Sequence, residues 1–164
     1  MKLIKFPESK IEELLSWINN EEDKQFWSGN TFQEGLSPEV FLIHLQREDI
    51  YSFSFLGDDD SLNCYGEIVK SRENKGVLCR VIVNPAIRRR GIGKTFIREI
   101  LNWSFNQKKM KRITLNTFGH NKPARTCYQS LGFIEIALKK NYRKVGNHWR
   151  DLIVMEKETS KLKR

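Results

Sequence analysis

Hydrophobic and polar positions follow two different periods along the first half of the chain. Residues 8–19 carry apolar side chains at helical spacing, which predicts an amphipathic helix. Ser37 followed by Pro38 is typical of a helix start, and apolar positions recur from there to residue 45. From residue 50 the period shortens to two, which predicts strands. The pattern predicts a short strand at 3–6, a helix at 8–19, an irregular segment at 20–36, a second helix, a hairpin over 50–70 and a strand at 77–83.

The second half alternates short apolar strands with helices. Gly91 and Gly93 open a helix whose apolar positions recur over 96–105, and Gly132 ends another helix that begins at Lys122. The alternation of strand and helix over the region predicts crossover connections and therefore a parallel pair of strands. The expected strands lie at 113–117, 133–138 and 149–155, the last two on either side of a turn-like segment at 141–147.

The composition fits one domain in a reducing compartment. A chain of 164 residues with 39% hydrophobic residues can bury a core, so we predict a single domain over 1–158 and a frayed polar tail over 159–164. No apolar run reaches the ~20 residues needed to cross a bilayer, and the first ten residues lack a secretory pattern, so no membrane partner is expected. The cysteines have no paired spacing that predicts a disulfide or a metal site, and a cytoplasmic location is expected; they are Cys64, Cys79 and Cys127.

Charge is divided unevenly between the two halves. Residues 1–75 hold eight Lys and Arg against fifteen Asp and Glu, whereas residues 76–164 hold twenty-one against five. A uniformly basic chain would favour nucleic acid as a partner. The division instead favours an anionic ligand on the second half and a cationic one on the first.

The richest segment is the turn between the strand at 77–83 and the helix that follows it. A helix start offers unpaired N–H groups to an anion, glycines allow close approach of the main chain, and the three arginines at 88–90 add donors for phosphate oxygens. A pyrophosphate is the predicted ligand. Two common nucleotide motifs are excluded, because a Walker loop needs glycine where Arg88 stands and a dinucleotide fingerprint needs glycine where Phe96 stands.

Two motifs together carry a family resemblance. Residues 88–93 read R-x-x-G-x-G, and residues 121–133 read N-x-x-A-x-x-x-Y-x-x-x-G-F. In this order and spacing the chain resembles the GNAT superfamily of acyl-CoA-dependent N-acyltransferases over residues 77–135. The segment 146–155 is similar to the last hairpin of the branches that acetylate ribosomal proteins and polyamines.

The resemblance implies an α/β (α+β) fold with a mixed, mostly antiparallel sheet of about six to seven strands, a splayed parallel pair and about four flanking helices. It implies transfer of an acetyl group from acetyl-CoA, the co-substrate, to a primary amine by direct attack in a ternary complex, without a metal. Monomer or homodimer is the expected assembly.

The resemblance also implies roles for individual residues. Tyr128 would protonate the departing CoA thiolate, and a backbone N–H such as that of Val83 would stabilise the oxyanion. The acyl donor would pair with the strand, its diphosphate would lie on the turn, and its pantetheine arm would meet one asparagine. The implied donor-binding residues are Val81, Ile82, Val83, Arg88, Arg89, Arg90, Gly91, Ile92, Gly93, Lys94, Thr95 and Asn121.

The general base stays open at this point. Some relatives carry a glutamate where Val77 or Asn116 stands, and neither residue can accept a proton here. The alternatives are Glu67, Asp151, His120, or a relay through water with no single base.

The acceptor hypothesis comes from residues 20–36, which combine acidic and aromatic side chains that suit a cation. They are Glu21, Glu22, Asp23 and Glu34 with Phe26, Trp27 and Phe32. A cationic small amine or a protein N-terminus is therefore expected. Two other classes remain as alternatives: a catalytically silent acyl-CoA sensor, and a nucleic-acid-binding module on the basic run at 108–112, which no recognised nucleic-acid signature supports.

Overall fold

Seven strands and five α-helices make up the part of the chain that the computed structural model describes, residues 1–160. The strands are β1 (Ile4–Lys5), β2 (Ile50–Leu56), β3 (Leu62–Arg72), β4 (Lys75–Val83), β5 (Arg112–Phe118), β6 (Ile134–Val145) and β7 (His148–Glu158). The helices are α1 (Ile11–Leu15), α2 (Glu21–Ser28), α3 (Pro38–Leu45), α4 (Ile92–Asn102) and α5 (Lys122–Ser130). Most of the tail predicted at 159–164, namely residues 161–164, lies outside the described residues.

The strands form one mixed sheet in the order β1-β2-β3-β4-β5-β7-β6. Every neighbouring pair is antiparallel except β4 and β5, which run parallel. The chain passes from β4 to β5 through α4, which is the crossover that the alternation of strand and helix predicts. The predicted fold class is confirmed.

Apolar side chains cover both faces of the sheet. On one face the buried positions of α4, among them Phe96 and Ile100, pack against β2, β3 and β4. On the other face the helices before residue 46 pack on β3 through an aromatic cluster, whose buried members include Phe6, Phe32, Phe41 and Tyr65. The sheet is therefore the middle layer, and an opening in it would connect its two faces.

The sequence pattern predicts an irregular segment at 20–36. This prediction is wrong for part of the segment, because it contains α2. The Asn20 side chain accepts the Asp23 N–H at 2.8 Å, which is an N-cap, and acidic residues fill the first turn. The helix ends at Gly29, whose φ of +57° suits glycine. The helix has only eight residues and its apolar side chains are neighbours in sequence, so no stripe of apolar positions marked it.

The segment 141–147 was predicted to be turn-like, but most of it belongs to strand β6. β6 continues to Val145, and the reversal is confined to residues 146–147. A bulge interrupts the pairing of β6 with β7 between Lys139 and Arg143, and Asn141 within it has φ +46°. The bulge supplies the local irregularity that the sequence suggested, and the strand beyond it carries Arg143 back toward the sheet opening.

Candidate active site

A cleft opens in the sheet where β4 and β5 stop pairing. Their parallel pairing ends at Leu78 and Leu115, whereas the strands continue to Val83 and Phe118. A cavity of about 420 Å³ lies between the unpaired halves. Its wall includes residues of α5, the C-terminal half of α2, and Arg143 of β6. Because the cleft carries side chains from both faces of the sheet, it is the candidate active site.

The open edge of β4 offers backbone groups to this cleft. The Asn84 N–H donates to the Asn63 carbonyl at 2.8 Å, on the β3 side. Because N–H groups of successive residues in a strand point to opposite edges, those of Val81 and Val83 point away from β3. The Arg88 Nε donates to the Val83 carbonyl at 3.2 Å on the same edge. An extended ligand arm can therefore pair with β4 as an added strand would.

The turn before α4 presents further N–H groups. Gly91, with φ +77°, is the N-cap of the helix, and no side chain caps it. The Thr95 N–H donates to the Gly91 carbonyl at 3.2 Å, so the N–H groups of residues 92–94 have no partner within the helix. The helix dipole favours an anion at this point. A Cβ added at Gly93 would lie 3.0 Å from Val83 Cγ2, so the helix start packs directly on the open strand.

The predicted donor-binding residues are thus distributed over two zones. Val81, Asn121 and Tyr128 line the cavity itself. Residues 88–95 form the turn and helix start beyond it, and Arg88, Arg89 and Arg90 are exposed there. Ile82 lies between the two outward N–H groups, and its side chain packs with the aromatic cluster on the other face of the sheet.

Tyr128 and Asn121 reach the cavity from α5 and its N-terminus. The half-buried Tyr128 ring packs edge to face on Phe133 with centroids 5.9 Å apart. Burial raises the pKa of the Tyr128 phenol, so the phenol stays protonated at neutral pH. The Asn121 Oδ1 accepts the Ala124 N–H at 3.3 Å as a helix cap, which leaves its amide hydrogens free for a ligand.

A buried charged network lies behind the cavity wall. Glu67 is fully buried, and its Oε1 accepts from the Tyr65 hydroxyl and from His44 Nε2 at 2.9 Å. Its Oε2 accepts from Arg80 Nε at 2.7 Å, and Arg80 Nη1 donates to Thr31 Oγ1 at 3.0 Å. Burial alone would raise the Glu67 pKa, but the hydrogen bond from His44 and the charge of Arg80 outweigh it and lower the pKa. Both carboxylate oxygens are occupied, so Glu67 is poorly placed to act as a base.

Arg80 turns toward the cavity because β4 is irregular at this residue. The register of β3 and β4 shifts between Tyr65 and Glu67, and Arg80 has φ +51°. The Trp27 indole Nε1 donates to the Arg80 carbonyl at 2.9 Å, which ties α2 to the bulged strand. These contacts hold one wall of the cavity in a fixed shape.

The other two candidate bases differ in their surroundings. The Asp151 Oδ1 accepts the Asn141 N–H at 2.9 Å and so supports the bulge of β6. The exposed His120 ring lies 5.5 Å from Phe26 and 6.0 Å from Phe118, and both aromatic rings line the cavity. Partial burial and the charge of Arg150 lower the pKa of His120. A neutral imidazole therefore stands at the cavity rim.

The acidic residues of the acceptor hypothesis point elsewhere. Glu21 pairs with Lys24 Nζ at 2.8 Å, and the Asp23 Oδ2 accepts the Asn19 N–H at 3.3 Å. Phe26 and Trp27 line the cavity as expected, but no carboxylate does among the described residues, and its charged lining residues are Arg80 and Arg143. The predicted combination of acid and aromatic groups is only half present.

Sequence reasoning missed His44 as a partner of Glu67, and it missed Arg80 and Arg143 altogether. His44, Glu67 and Arg80 lie on α3, β3 and β4, so no local motif joins them. One signal was available for Arg143, since the net basic charge of the second half includes the run 139–144.

The described residues contain neither a cluster of metal-ligating side chains nor a helix that could span a membrane. Among residues 1–160, no three His, Cys, Asp or Glu side chains gather as metal ligands. Within the same residues, no helix has the length and apolar character to cross a bilayer. The three cysteines are unbridged.

Comparison with known proteins places these features in a family. The model of the Acetyltransferase (GNAT) family matches residues 11–133. The crystal structure of spermidine N-acetyltransferase from Vibrio cholerae in complex with CoA and spermine shares the fold, with a TM-score of 0.83 and 18% identity over 99% of this chain and 98% of that one.

Two curated proteins are similar in sequence. An N-acetyltransferase 9-like protein of Caenorhabditis briggsae is 19% identical over 156 residues, which cover 87% of this chain and 79% of the relative. The [ribosomal protein bS18]-alanine N-acetyltransferase of Salmonella typhimurium is 26% identical over 82 residues, which cover 50% of this chain and 55% of the relative.

Proposed function

The chain belongs to the GNAT family of acetyltransferases, and from that premise we propose that it acetylates a primary amine by direct attack on acetyl-CoA while both substrates are bound. The observation that carries the proposal is the cleft between β4 and β5, which has backbone donors on one edge and Tyr128 in its wall. Residues 1–158 would act as one catalytic domain.

The acyl donor would enter from the α4 and α5 side. Its pantetheine arm would pair with the outward N–H groups of Val81 and Val83, and Asn121 would donate to it from the N-terminus of α5. Its diphosphate would accept hydrogen bonds from the N–H groups of residues 92–94, with the exposed arginines of 88–90 supplying charge. This arrangement would leave the thioester at the cavity, where α2 and β6 approach from the acceptor side.

Attack requires a neutral amine, whose solution pKa is about 10. A proton must therefore leave the acceptor before the new C–N bond forms. His120 at the cavity rim has a lowered pKa, so its neutral imidazole would take this proton through water. A backbone N–H on the open edge of β4 that the pantetheine arm leaves free would stabilise the negative charge that develops on the carbonyl oxygen.

Collapse of the tetrahedral intermediate breaks the C–S bond and releases a thiolate, while a proton leaves the attacking nitrogen to water and gives the neutral amide. The Tyr128 phenol, which its raised pKa keeps protonated, would donate to the sulfur at this step. A thiol has a pKa of about 8.5 and a phenol about 10, so the hydrogen bond would stabilise the thiolate as it forms. Cys127, whose pKa burial raises, lacks the thiolate character that a covalent acyl-enzyme route needs.

Replacing Tyr128→Phe tests the proposal. Loss of a positioned acid costs about 10²–10⁴-fold in rate, so we expect kcat for acetyl transfer to fall at least a hundredfold while the Kd for CoA, measured by calorimetry, stays unchanged. Tyr51→Phe is the matched control, because Tyr51 packs on Trp103 of the adjoining helix end. An unchanged kcat in Tyr128→Phe would exclude the phenol from the reaction.

The same variant separates an enzyme from a silent acyl-CoA sensor. A sensor would bind CoA in wild-type and Tyr128→Phe forms alike, and neither form would release thiol in the presence of amines. The described structure adds no support for nucleic-acid binding, since Lys108 lies over the rings of Tyr51 and Trp103 and Arg112 pairs with Glu158.

A further inference from the structure

The acceptor end of the cavity has an unbalanced positive charge. The Arg80 guanidinium is neutralised by Glu67 at 2.6 Å. Arg143 also lines the cavity, but it forms no salt bridge with any of the described residues. Since no carboxylate lines this cavity within residues 1–160, the charge of Arg143 faces the acceptor without compensation.

The position of Arg143 is held by the fold around it. The bulge of β6 turns the residue toward α2, and a Cβ added at Gly29 would collide with Arg143 Nη1. Glycine at position 29 therefore makes room for the guanidinium beside Phe26 and Trp27, which line the same cavity.

A second arginine adds charge beside the first. Arg150 of β7 lies over the Phe26 ring at 5.8 Å. Its Nε is buried and has no hydrogen-bond partner among residues 1–160. Arg150 does not line the cavity, so it adds positive charge behind the aromatic wall and does not contact the acceptor directly. Two arginines on β6 and β7 thus flank the aromatic residues of α2.

Resting on the proposed function, we propose that the acceptor is a primary amine that carries an oxyanion close to the reacting nitrogen, and that Arg143 binds this oxyanion. The planar guanidinium matches a carboxylate or a phosphate with two parallel hydrogen bonds. A polycationic amine would instead meet like charge at this end of the cavity. Arg143 is then the residue that determines acceptor specificity.

The test compares acceptors that differ chiefly in charge. Peptides with a free N-terminus and Glu, Gln or Lys at the second position form one set; phosphoethanolamine and ethanolamine form another, and spermidine is the polycation. Rates of thiol release are expressed per concentration of neutral amine, so that differences in amine pKa do not enter. We expect kcat/KM for an anionic acceptor to exceed that of its neutral partner at least tenfold, and the two sets show whether the oxyanion is a carboxylate or a phosphate.

Variants of Arg143 decide whether that residue is responsible. Arg143→Gln should raise KM for the anionic acceptor at least tenfold, leave kcat nearly unchanged and remove the preference over the neutral partner. Arg143→Lys should retain part of the preference for the anionic acceptor. The control is Lys144→Gln, an exposed neighbour that does not line the cavity. Calorimetry with CoA confirms that each variant is folded and binds the donor.

Two results would overturn the inference. Wild-type enzyme could prefer neutral or polycationic acceptors, or Arg143→Gln could slow anionic and neutral acceptors equally, in which case Arg143 only stabilises the end of α2. Either result leaves the proposed chemistry intact as long as Tyr128→Phe still slows every acceptor. If Tyr128→Phe has no effect, the proposed chemistry itself is wrong, whatever the charge preference.

Discussion

The donor side and the acceptor side of the cleft are assembled from different materials. On the donor side, one continuous segment from Val81 to Thr95 supplies backbone N–H groups along a strand edge and at a helix start. On the acceptor side, side chains from α2, β4 and β6 meet around the cavity. The donor side depends on the course of one chain segment and on the glycines in its turn. The acceptor side depends on the packing of elements that are distant in sequence. A local motif can therefore indicate the donor but cannot indicate the acceptor.

The largest expected effect is a loss of stability when the buried charged network behind the acceptor side is broken. Glu67→Gln removes a charge from a pair that is closed to water, which leaves Arg80 buried without its partner. Breaking such a pair costs about 3–5 kcal/mol, so we expect a loss of that size in the free energy of unfolding, measured by urea denaturation. The control is Glu73→Gln on an exposed turn. A loss no larger than that of the control would show that the network does not hold the wall.

The same network gives stability a defined dependence on pH. The Glu67 pKa is lowered in the folded state, so its contribution is present above the unfolded value of about 4.3 and is lost as pH falls through the folded pKa. Wild-type protein should therefore lose stability on acidification through this range more steeply than Glu67→Gln. Parallel curves for the two proteins would contradict the assigned direction.

A smaller effect is expected on the donor side from Gly93→Ala. The new Cβ would lie 3.0 Å from Val83 Cγ2, and overpacking costs about 1–3 kcal/mol. Displacement of Val83 would disturb the open edge, so we expect the Kd for CoA to rise about tenfold, measured by calorimetry. Asn102→Ala is the control, because Asn102 is exposed at the far end of the same helix. An unchanged Kd would separate the helix start from donor binding.

The smallest expected effect concerns proton removal at the rim. His120→Gln should lower kcat/KM a few-fold near neutral pH, because His120 lies on the cavity rim rather than within it. With rates expressed per concentration of neutral amine, the acidic limb that remains follows the lowered pKa of His120 in wild-type protein, and it should disappear in the variant. If the profile is unchanged, water alone removes the proton.

The sequence predicts the donor side of the cleft better than the acceptor side, because the donor side is built from neighbouring residues. The order of strands and helices from β4 to α5, the glycine turn and the register of Tyr128 were all predicted, since each depends on residues that are neighbours in sequence. The helix α2 was missed although Asn20 and Gly29 mark its ends, because its apolar side chains form no stripe. The contacts of Glu67 and the position of Arg143 were not predictable, since they depend on a bulge in β4 and a bulge in β6.

The measurement that tests the central claim most directly is amide hydrogen exchange with and without CoA. The N–H groups of Val81, Val83 and residues 92–94 should gain protection when CoA binds, because the ligand supplies the acceptors they lack. The Asn84 N–H, which already donates to Asn63, should change little and serves as the internal reference. Protection confined to other parts of the chain, with Val81 and Val83 exchanging as before, would contradict the placement of the donor in the cleft.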